Sequence, residues 1–258
     1  MKTPILMYHC VSQASRGGRY ILSSERFSRQ MHWLKANDYE VISLGQLLAC
    51  REVASTGSPK QVAVTFDDGY QDTFQHARPV LLSLGFNATF FFVSGYMGKS
   101  NQWDQIGEEC AGSRVMDWDQ ARQLGRDGFT IGAHSVTHSA LTELSLDRAT
   151  YEINQSRAEL ESQIGAPVGF FAFPYGLWNA HLGRIVREAG YEGACLTQPG
   201  FNNSATDRFA LRRIEICGTD SLQTFAWKLR FGVSKFGPRD LVGYYGRRLR
   251  ARLIAGGQ

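Results

Sequence analysis

One segment of the chain, residues 62–85, reads VAVTFDDGYQDTFQHARPVLLSLG. Its first part, Val62–Phe66, is a short apolar run of the kind that forms a strand buried on both faces. After a polar turn, Asp72–Leu84 repeats apolar side chains every three or four positions, which predicts an amphipathic helix. Gly85 follows where a helix commonly ends. The segment therefore predicts one strand–turn–helix unit.

The same alternation of strand and helix extends over most of the chain. The other predicted strands are Ile5–Tyr8, Tyr39–Ser43, Ala88–Val93, Thr130–Gly132, Val168–Phe173, Gly193–Leu196 and Ala210–Ile216. The other predicted helices are Ser24–Asn37, Leu146–Ile164 and Asn179–Ala189. About eight mostly apolar strands alternating with helices predict a parallel α/β fold, for which a barrel fits as well as an open sheet. We find no internal repeat or low-complexity linker and expect a single domain.

Composition excludes several classes of protein. The chain has 258 residues, 43% hydrophobic and 20% charged, which excludes disordered, collagen-like and coiled-coil proteins. No apolar run approaches the ~18–20 residues of a membrane-spanning helix, and the start of the chain lacks the apolar core of a signal peptide. The five cysteines form no C-x-x-C pair, which argues against a disulfide framework or a thiolate zinc site. We therefore expect a cytoplasmic protein.

The positive charge is concentrated at the C-terminus. The net charge is +4, yet residues 227–258 contain eight basic residues and one acidic residue. We predict a barrel domain over residues 1–226 and a basic amphipathic extension over 227–258. The extension could pack on the barrel or lie on an anionic membrane surface. Nucleic acid is not expected, since no recognition motif accompanies the charge.

Two adjacent carboxylates follow the strand of the first segment. Asp67 and Asp68 precede Gly69, which allows a tight turn. In parallel α/β folds, catalytic groups collect at the C-terminal ends of strands. An ordinary Asp-Asp-Gly turn is the alternative interpretation.

Two histidines, His134 and His138, flank the sequence Ser-Val-Thr after another strand-like run. On one helical turn, this spacing would put both rings on one side, where two imidazoles can hold one divalent ion. Together with a strand-end carboxylate they would form a metal triad with open positions for water. A structural pair of histidines is the alternative.

A third strand-like run ends in Pro174-Tyr175-Gly176. Proline fixes φ and glycine permits an unusual conformation, so this turn could present a backbone N–H at a set angle. A plain turn is equally compatible with the local sequence.

These three segments, TFDDG at 65–69, HSVTH at 134–138 and PYG at 174–176, resemble the motifs of the polysaccharide deacetylase family, the NodB-homology carbohydrate esterases. The resemblance covers roughly residues 5–216. It implies a single-domain α/β fold, a distorted (β/α) barrel that usually has seven parallel strands. It also implies a metal-dependent hydrolase that removes N-acetyl groups from an amino sugar, which we expect to act in the biosynthesis of a cell-surface polysaccharide or glycolipid. If the basic C-terminus lies on a membrane, the amino sugar could be lipid-linked.

The resemblance also implies residue roles. Asp68, His134 and His138 would be metal ligands, and Asp67 would be the general base. The backbone N–H of Tyr175 would face the oxyanion. We expect Zn²⁺, although two histidines and one aspartate also accept Co²⁺, Ni²⁺ or Fe²⁺.

Two departures from the family pattern concern the acid and the orientation of the base. Many members supply the acid from a histidine near the C-terminus, but none follows His181 here. We expect His9 to replace it, as in a circularly permuted branch of the family with an N-terminal Tyr-His motif; a histidine of structural importance only is the alternative. Ala172 stands where many members have an arginine that orients the base, and Arg212 or Arg213 could replace it.

Candidate substrate-binding residues are Pro174, Trp118 and Trp103. The two tryptophans are candidates because indole rings stack on sugar faces, but they could equally be core residues. Two other functions remain open: an O-acetyl esterase acting on sugars, whose leaving group needs less help from an acid, and a non-catalytic carbohydrate-binding barrel.

Overall fold

The structure is a computed structural model that describes residues 2–13, 18–50, 60–104 and 109–235. Its strands are β1 (Ile5–Tyr8), β2 (Cys10–Ser12), β3 (Ile21–Ser23), β4 (Tyr39–Val41), β5 (Lys60–Phe66), β6 (Thr89–Phe92), β7 (Thr130–Ala133), β8 (Phe170–Ala172), β9 (Gly193–Cys195) and β10 (Ile214–Glu215). Its helices are α1 (Ser24–Ala36), α2 (Leu44–Cys50), α3 (Gln71–Leu84), α4 (Trp118–Arg126), α5 (Leu146–Ile164), α6 (Ala180–Glu188) and α7 (Leu222–Phe231). Every strand and helix predicted from the sequence is present.

The main sheet is parallel and curls into a distorted barrel. Seven strands follow the order β10-β1-β5-β6-β7-β8-β9, and β4 pairs with β5 beside this path. The N–H of Leu196 donates to the carbonyl of Leu211, and the N–H of Leu211 donates to the carbonyl of Ala194, each at 2.8 Å. These bonds join β9 to the segment that leads into β10, which pairs with β1. The prediction of a single-domain α/β protein with a distorted barrel of seven parallel strands is confirmed.

The strands are apolar throughout because both of their faces are buried. In β6, Phe91 faces the barrel interior, where it contacts a cluster that includes Ala63 and Ala172. Phe90 and Phe92 face the opposite way and belong to the large cluster between the sheet and the helices. Burial of such a side chain contributes about 1.5–3 kcal/mol, so both layers stabilise the barrel.

The predicted domain boundary at 226/227 lies inside α7. Phe225 is buried and its ring lies edge-on to Trp33 of α1, and Lys228 is also buried. The ammonium of Lys228 forms an ion pair with Asp220 at 2.5 Å and donates to the carbonyl of Glu215. Residues 227–231 therefore continue a helix of the barrel, and Lys228 is not part of an exposed basic surface.

The remainder of the predicted extension, residues 236–258, lies outside the described residues. Within the ranges that the structure does describe, no helix is both long enough and apolar enough to cross a membrane.

Candidate active site

The predicted site residues follow strands that are neighbours in the sheet. Asp67 and Asp68 follow β5, His134 follows β7, and the turn with Tyr175 comes after β8. Because the carboxyl ends of parallel strands meet at one edge of a barrel, this order brings the three motifs together. The sheet path places only β6 between β5 and β7.

The turn after β5 depends on a left-handed backbone. Asp68 and Gly69 have φ values of 68° and 66°. A Cβ atom at Gly69 would lie 2.5 Å from the ring of Phe92, so glycine is required for space as well as for conformation. The turn directs the carboxylate of Asp68 towards the histidines, whereas that of Asp67 meets Arg213.

The three predicted metal ligands converge. Oδ1 of Asp68 lies 3.5 Å from Nε2 of His134 and 3.3 Å from Nε2 of His138. One ligand atom from each residue lies within 4.8 Å of the others, and all three side chains are buried. Among the described residues, Oδ1 of Asp68 has no hydrogen-bond partner. Two imidazole nitrogens around a buried carboxylate oxygen without a hydrogen bond fit a divalent cation.

The protonation states of these groups suit metal binding. Nδ1 of His134 lies 2.7 Å from the carbonyl of Ala172, which assigns the ring proton to Nδ1 and leaves Nε2 for a metal. Burial lowers the pKa of His134 to about 4, so the ring is neutral at physiological pH. Burial would raise the pKa of Asp68, but its close electrostatic interaction with His138 holds that pKa well below its ordinary value.

Arg213 fixes the second carboxylate. Its guanidinium donates from Nη1 and Nη2 to the two oxygens of Asp67, at 2.6 and 2.7 Å, and from Nε to the carbonyl of Leu196. Burial would raise the pKa of Asp67, but the charge of Arg213 holds it below the ordinary value. Of the two arginines expected to replace one at Ala172, Arg213 is therefore the one that contacts Asp67, whereas Arg212 is exposed.

His9 follows β1 and lies half-buried beside these carboxylates. Its ring is edge-on to Tyr20, with centroids 4.7 Å apart. Pairing of β2 with β3 positions Tyr20, because the N–H of Cys10 donates to its carbonyl. Electrostatic interaction with His9 contributes to the low pKa values of Asp67 and Asp68.

The Pro-Tyr-Gly turn borders the triad. Tyr175 has a left-handed backbone, with φ of 58°, and its ring lies 4.7 Å from that of His138. Gly176 is also left-handed, and Thr197 occupies the space that a Cβ atom would need. Pro174 is buried. The turn thus has one fixed geometry next to a candidate metal ligand.

The aromatic residues predicted to bind sugar have different positions. The ring of Trp103 lies 4.9 Å from that of His138, beside the triad. Trp118 is the first residue of α4 and packs against the large hydrophobic core. Exposed side chains of Tyr175, Leu177 and Trp178 lie on the turn after β8.

Sequence reasoning missed one buried acidic residue next to the site. Glu152 of α5 is fully buried and accepts hydrogen bonds from the segment between His134 and His138. A signal was present, because Glu152 lies three residues after Ala149 and one before Ile153, on the apolar face of the predicted helix. A charge at such a position needs buried partners.

Comparison with known proteins identifies relatives of this chain. A family model described as polysaccharide deacetylase matches residues 54–194. The putative polysaccharide deacetylase YxkH of Bacillus subtilis is 26% identical over 83% of this chain and 71% of its own length. A Staphylococcus aureus poly-beta-1,6-N-acetyl-D-glucosamine N-deacetylase is 24% identical over 75% of this chain and 67% of its own length.

A solved structure shares the fold. The Streptococcus pyogenes deacetylase PplD, in complex with acetate, superposes with a TM-score of 0.77 at 24% identity, over 89% of this chain and 98% of that one. The family model covers more than half of the present chain, including the Asp-Asp turn, both histidines and the Pro-Tyr-Gly turn. The chain therefore belongs to the polysaccharide deacetylase family.

Proposed function

We propose that this protein is a metal-dependent hydrolase that removes N-acetyl groups from an N-acetylated amino sugar of a cell-surface polysaccharide or glycolipid. The observation that carries the proposal is the buried triad of Asp68, His134 and His138, next to a second carboxylate held by Arg213. The Staphylococcus aureus relative, named as an N-deacetylase of an N-acetylglucosamine polymer, supports this class of substrate. Acetate release from N-acetylated sugars, with and without a chelator, tests the proposal.

Asp68, His134 and His138 would hold the metal. Zn²⁺ fits two imidazoles and one carboxylate, and Co²⁺, Ni²⁺ and Fe²⁺ accept the same donors. When bound, such an ion supplies Lewis acidity, which lowers the pKa of water and polarises a carbonyl group.

Asp67 would act as the general base. A base must be ionised before it can take a proton, and Arg213 favours the ionised carboxylate. The two hydrogen bonds from Arg213 also fix the plane of this carboxylate, so that its orientation does not have to be established during the reaction. Asp67 would then remove a proton from the attacking water.

Tyr175 and His9 would act on the two sides of the C–N bond that breaks, Tyr175 on the carbonyl oxygen and His9 on the nitrogen. The backbone N–H of Tyr175, on a turn of fixed conformation beside His138, would donate to the oxygen on which charge develops. His9, whose ring packs against Tyr20 and which interacts electrostatically with Asp67 and Asp68, would protonate the departing amine.

His9→Ala tests the nature of the bond. An amine leaves only after protonation, whereas an alkoxide depends less on a general acid. We therefore expect kcat on N-acetyl substrates to fall about 10²–10⁴-fold. The rate on O-acetyl sugars should change far less. His32→Ala, which removes an exposed histidine of α1, is the matched control. Equal losses on both classes of substrate would contradict the role of His9 as the acid.

The alternatives are less well supported. The absence of an arginine at Ala172 and of a C-terminal histidine leaves an O-acetyl esterase open, but Arg213 supplies two hydrogen bonds to Asp67. A non-catalytic carbohydrate-binding barrel has no need for a buried carboxylate aligned by a bidentate arginine. The sugar-binding roles of Pro174, Trp103 and Trp118 stay predictions.

Contact between the basic C-terminus and an anionic membrane also stays a prediction from the sequence, as do a lipid-linked substrate and a cytoplasmic location. A protein truncated before Asp240 loses four of the basic residues, Arg247, Arg248, Arg250 and Arg252. We expect it to co-sediment less with vesicles that contain anionic lipid than the full-length chain does. Equal recovery of both proteins in the pellet would contradict membrane contact.

A further inference from the structure

Glu152 makes four hydrogen bonds from a fully buried position on α5. Its Oε2 accepts from the backbone N–H groups of Val136 and Thr137, both at 2.9 Å. Its Oε1 accepts from the hydroxyl of Thr137 at 2.9 Å and from Nη2 of Arg148 at 2.8 Å. Three of the four donors thus belong to the segment between His134 and His138.

That segment has an unfavourable backbone. Ser135 and His138 both have left-handed conformations, with φ values of 66° and 59°, although neither is glycine. Such residues cost about 1–3 kcal/mol each unless the surroundings hold them. The N–H of His138 donates to the hydroxyl of Ser135 at 2.9 Å, and Glu152 binds the two residues between them. Without Glu152, the buried N–H of Val136 and the half-buried N–H of Thr137 would lose their acceptor.

We propose that Glu152 is a positioning residue for the metal centre, and that it sets metal affinity by holding residues 135–138 in the conformation that directs both Nε2 atoms towards Asp68. This inference rests on the proposed metal site. Glu152 itself contacts none of the three ligand side chains through a hydrogen bond in the described structure. Its effect passes through the backbone of the segment that carries His138.

A carboxylate is suited to this task in a way that an amide is not. Glu152 offers two acceptor oxygens to four donor groups, whereas glutamine has one oxygen and an NH₂ group that would face a donor. Hydrogen bonds to a charged acceptor are also roughly twice as strong as neutral ones. Its counter-ion, Arg148, has a side chain that is 49% exposed, so burial of this charge depends largely on the segment that it binds.

The same helix contains a matched control. Glu161 also pairs with an arginine four residues earlier, Arg157, at 2.9 Å, and also accepts a hydrogen bond from a backbone N–H, that of Val168. Glu161 differs from Glu152 in that it binds the segment before β8 and not the segment between His134 and His138. Glu161→Gln therefore weakens an arginine pair and a backbone hydrogen bond of α5 without touching residues 135–138, although the side chain of Glu161 is 33% exposed and that of Glu152 is fully buried.

The experiment measures Zn²⁺ affinity of the metal-free full chain by competition with a chromophoric chelator. We expect Glu152→Gln to weaken binding about 10–100-fold, the effect usual for loss of a group that orients metal ligands. Glu161→Gln should bind as the wild type does. Urea unfolding of each metal-free variant shows whether the fold is kept. A folded Glu152→Gln with wild-type affinity, or equal losses in both variants, would overturn the proposal.

Thr137→Val is the second variant, for use if Glu152→Gln does not fold. It removes the hydroxyl that donates to Oε1 and keeps the size of the side chain, and we expect about fivefold weaker Zn²⁺ binding. Unchanged affinity would overturn the proposal. Wild-type protein that binds Zn²⁺ but releases no acetate would contradict the proposed reaction, while the affinities still decide the role of Glu152. Wild-type protein that binds no Zn²⁺ would overturn both.

Discussion

Asp68→Ala is expected to abolish stoichiometric metal binding and, with it, acetate release. Asp68 supplies the one anionic ligand of the triad, and its Oδ1 faces both Nε2 atoms. Loss of a group that only orients a ligand already costs about 10–100-fold in metal affinity, so loss of a ligand should cost more. Metal content by elemental analysis and acetate release under the same conditions check this expectation.

A surface aspartate provides the control for this variant. The side chain of Asp119, in the first turn of α4, is 89% exposed, and Asp119→Ala should keep both metal and activity. If Asp68→Ala retained one metal per chain and turned over at the wild-type rate, the triad would not be the metal site of this protein.

Asp67→Asn is expected to keep the metal and lose turnover. The asparagine cannot take a proton from water, and loss of a general base lowers kcat about 10²–10⁴-fold. The substitution also leaves the guanidinium of Arg213 buried without a counter-ion, which costs about 3–5 kcal/mol of stability. Lower stability by itself would reduce activity, so the free energy of unfolding has to be measured with kcat.

The double variant Asp67→Asn/Arg213→Gln separates these two effects. It removes both charges of the pair, so we expect it to be more stable than Asp67→Asn alone. We also expect it to remain as inactive as the single variant, because the base is still missing. Recovery of activity together with stability would show that Asp67 has a structural role only.

Much of the fold could be predicted because its strands are apolar on both faces and its helices have marked ends. β1 begins and ends at the predicted residues, and α5 begins after Ser145 and ends before Gly165 as predicted. The sequence could not decide between an open sheet and a barrel. That difference depends on the contact between β9 and Leu211, which joins the two edges of the sheet.

The convergence of Asp68, His134 and His138 was predictable, because each of their motifs carries its own turn geometry. The contact of Asp67 was less predictable, because its partner comes from a segment that is distant in the sequence. Arg212 and Arg213 were equal candidates, and only the closure of the barrel turns Arg213 inward to Asp67 and Arg212 outward. Glu152 could not be predicted in the same way, because helix periodicity identifies the apolar face but not the partners of a charged residue on it.

The predicted boundary at 226/227 falls inside α7, Leu222–Phe231, and an extension beyond this helix stays a prediction. The number of basic residues along a chain does not show which of them are buried, and Lys228 is buried against Asp220. A run of basic residues does not by itself define an extension when one of them completes an ion pair of the barrel.

The central claim is tested most directly by metal content and acetate release from purified wild-type protein and Asp68→Ala, on a panel of N-acetyl and O-acetyl sugars, with and without chelator. We expect one divalent metal per wild-type chain and chelator-sensitive release from N-acetyl sugars, with both absent in the variant. Absence of metal from both proteins, even after incubation with Zn²⁺, would contradict the metal-dependent hydrolase and favour a non-catalytic carbohydrate-binding barrel.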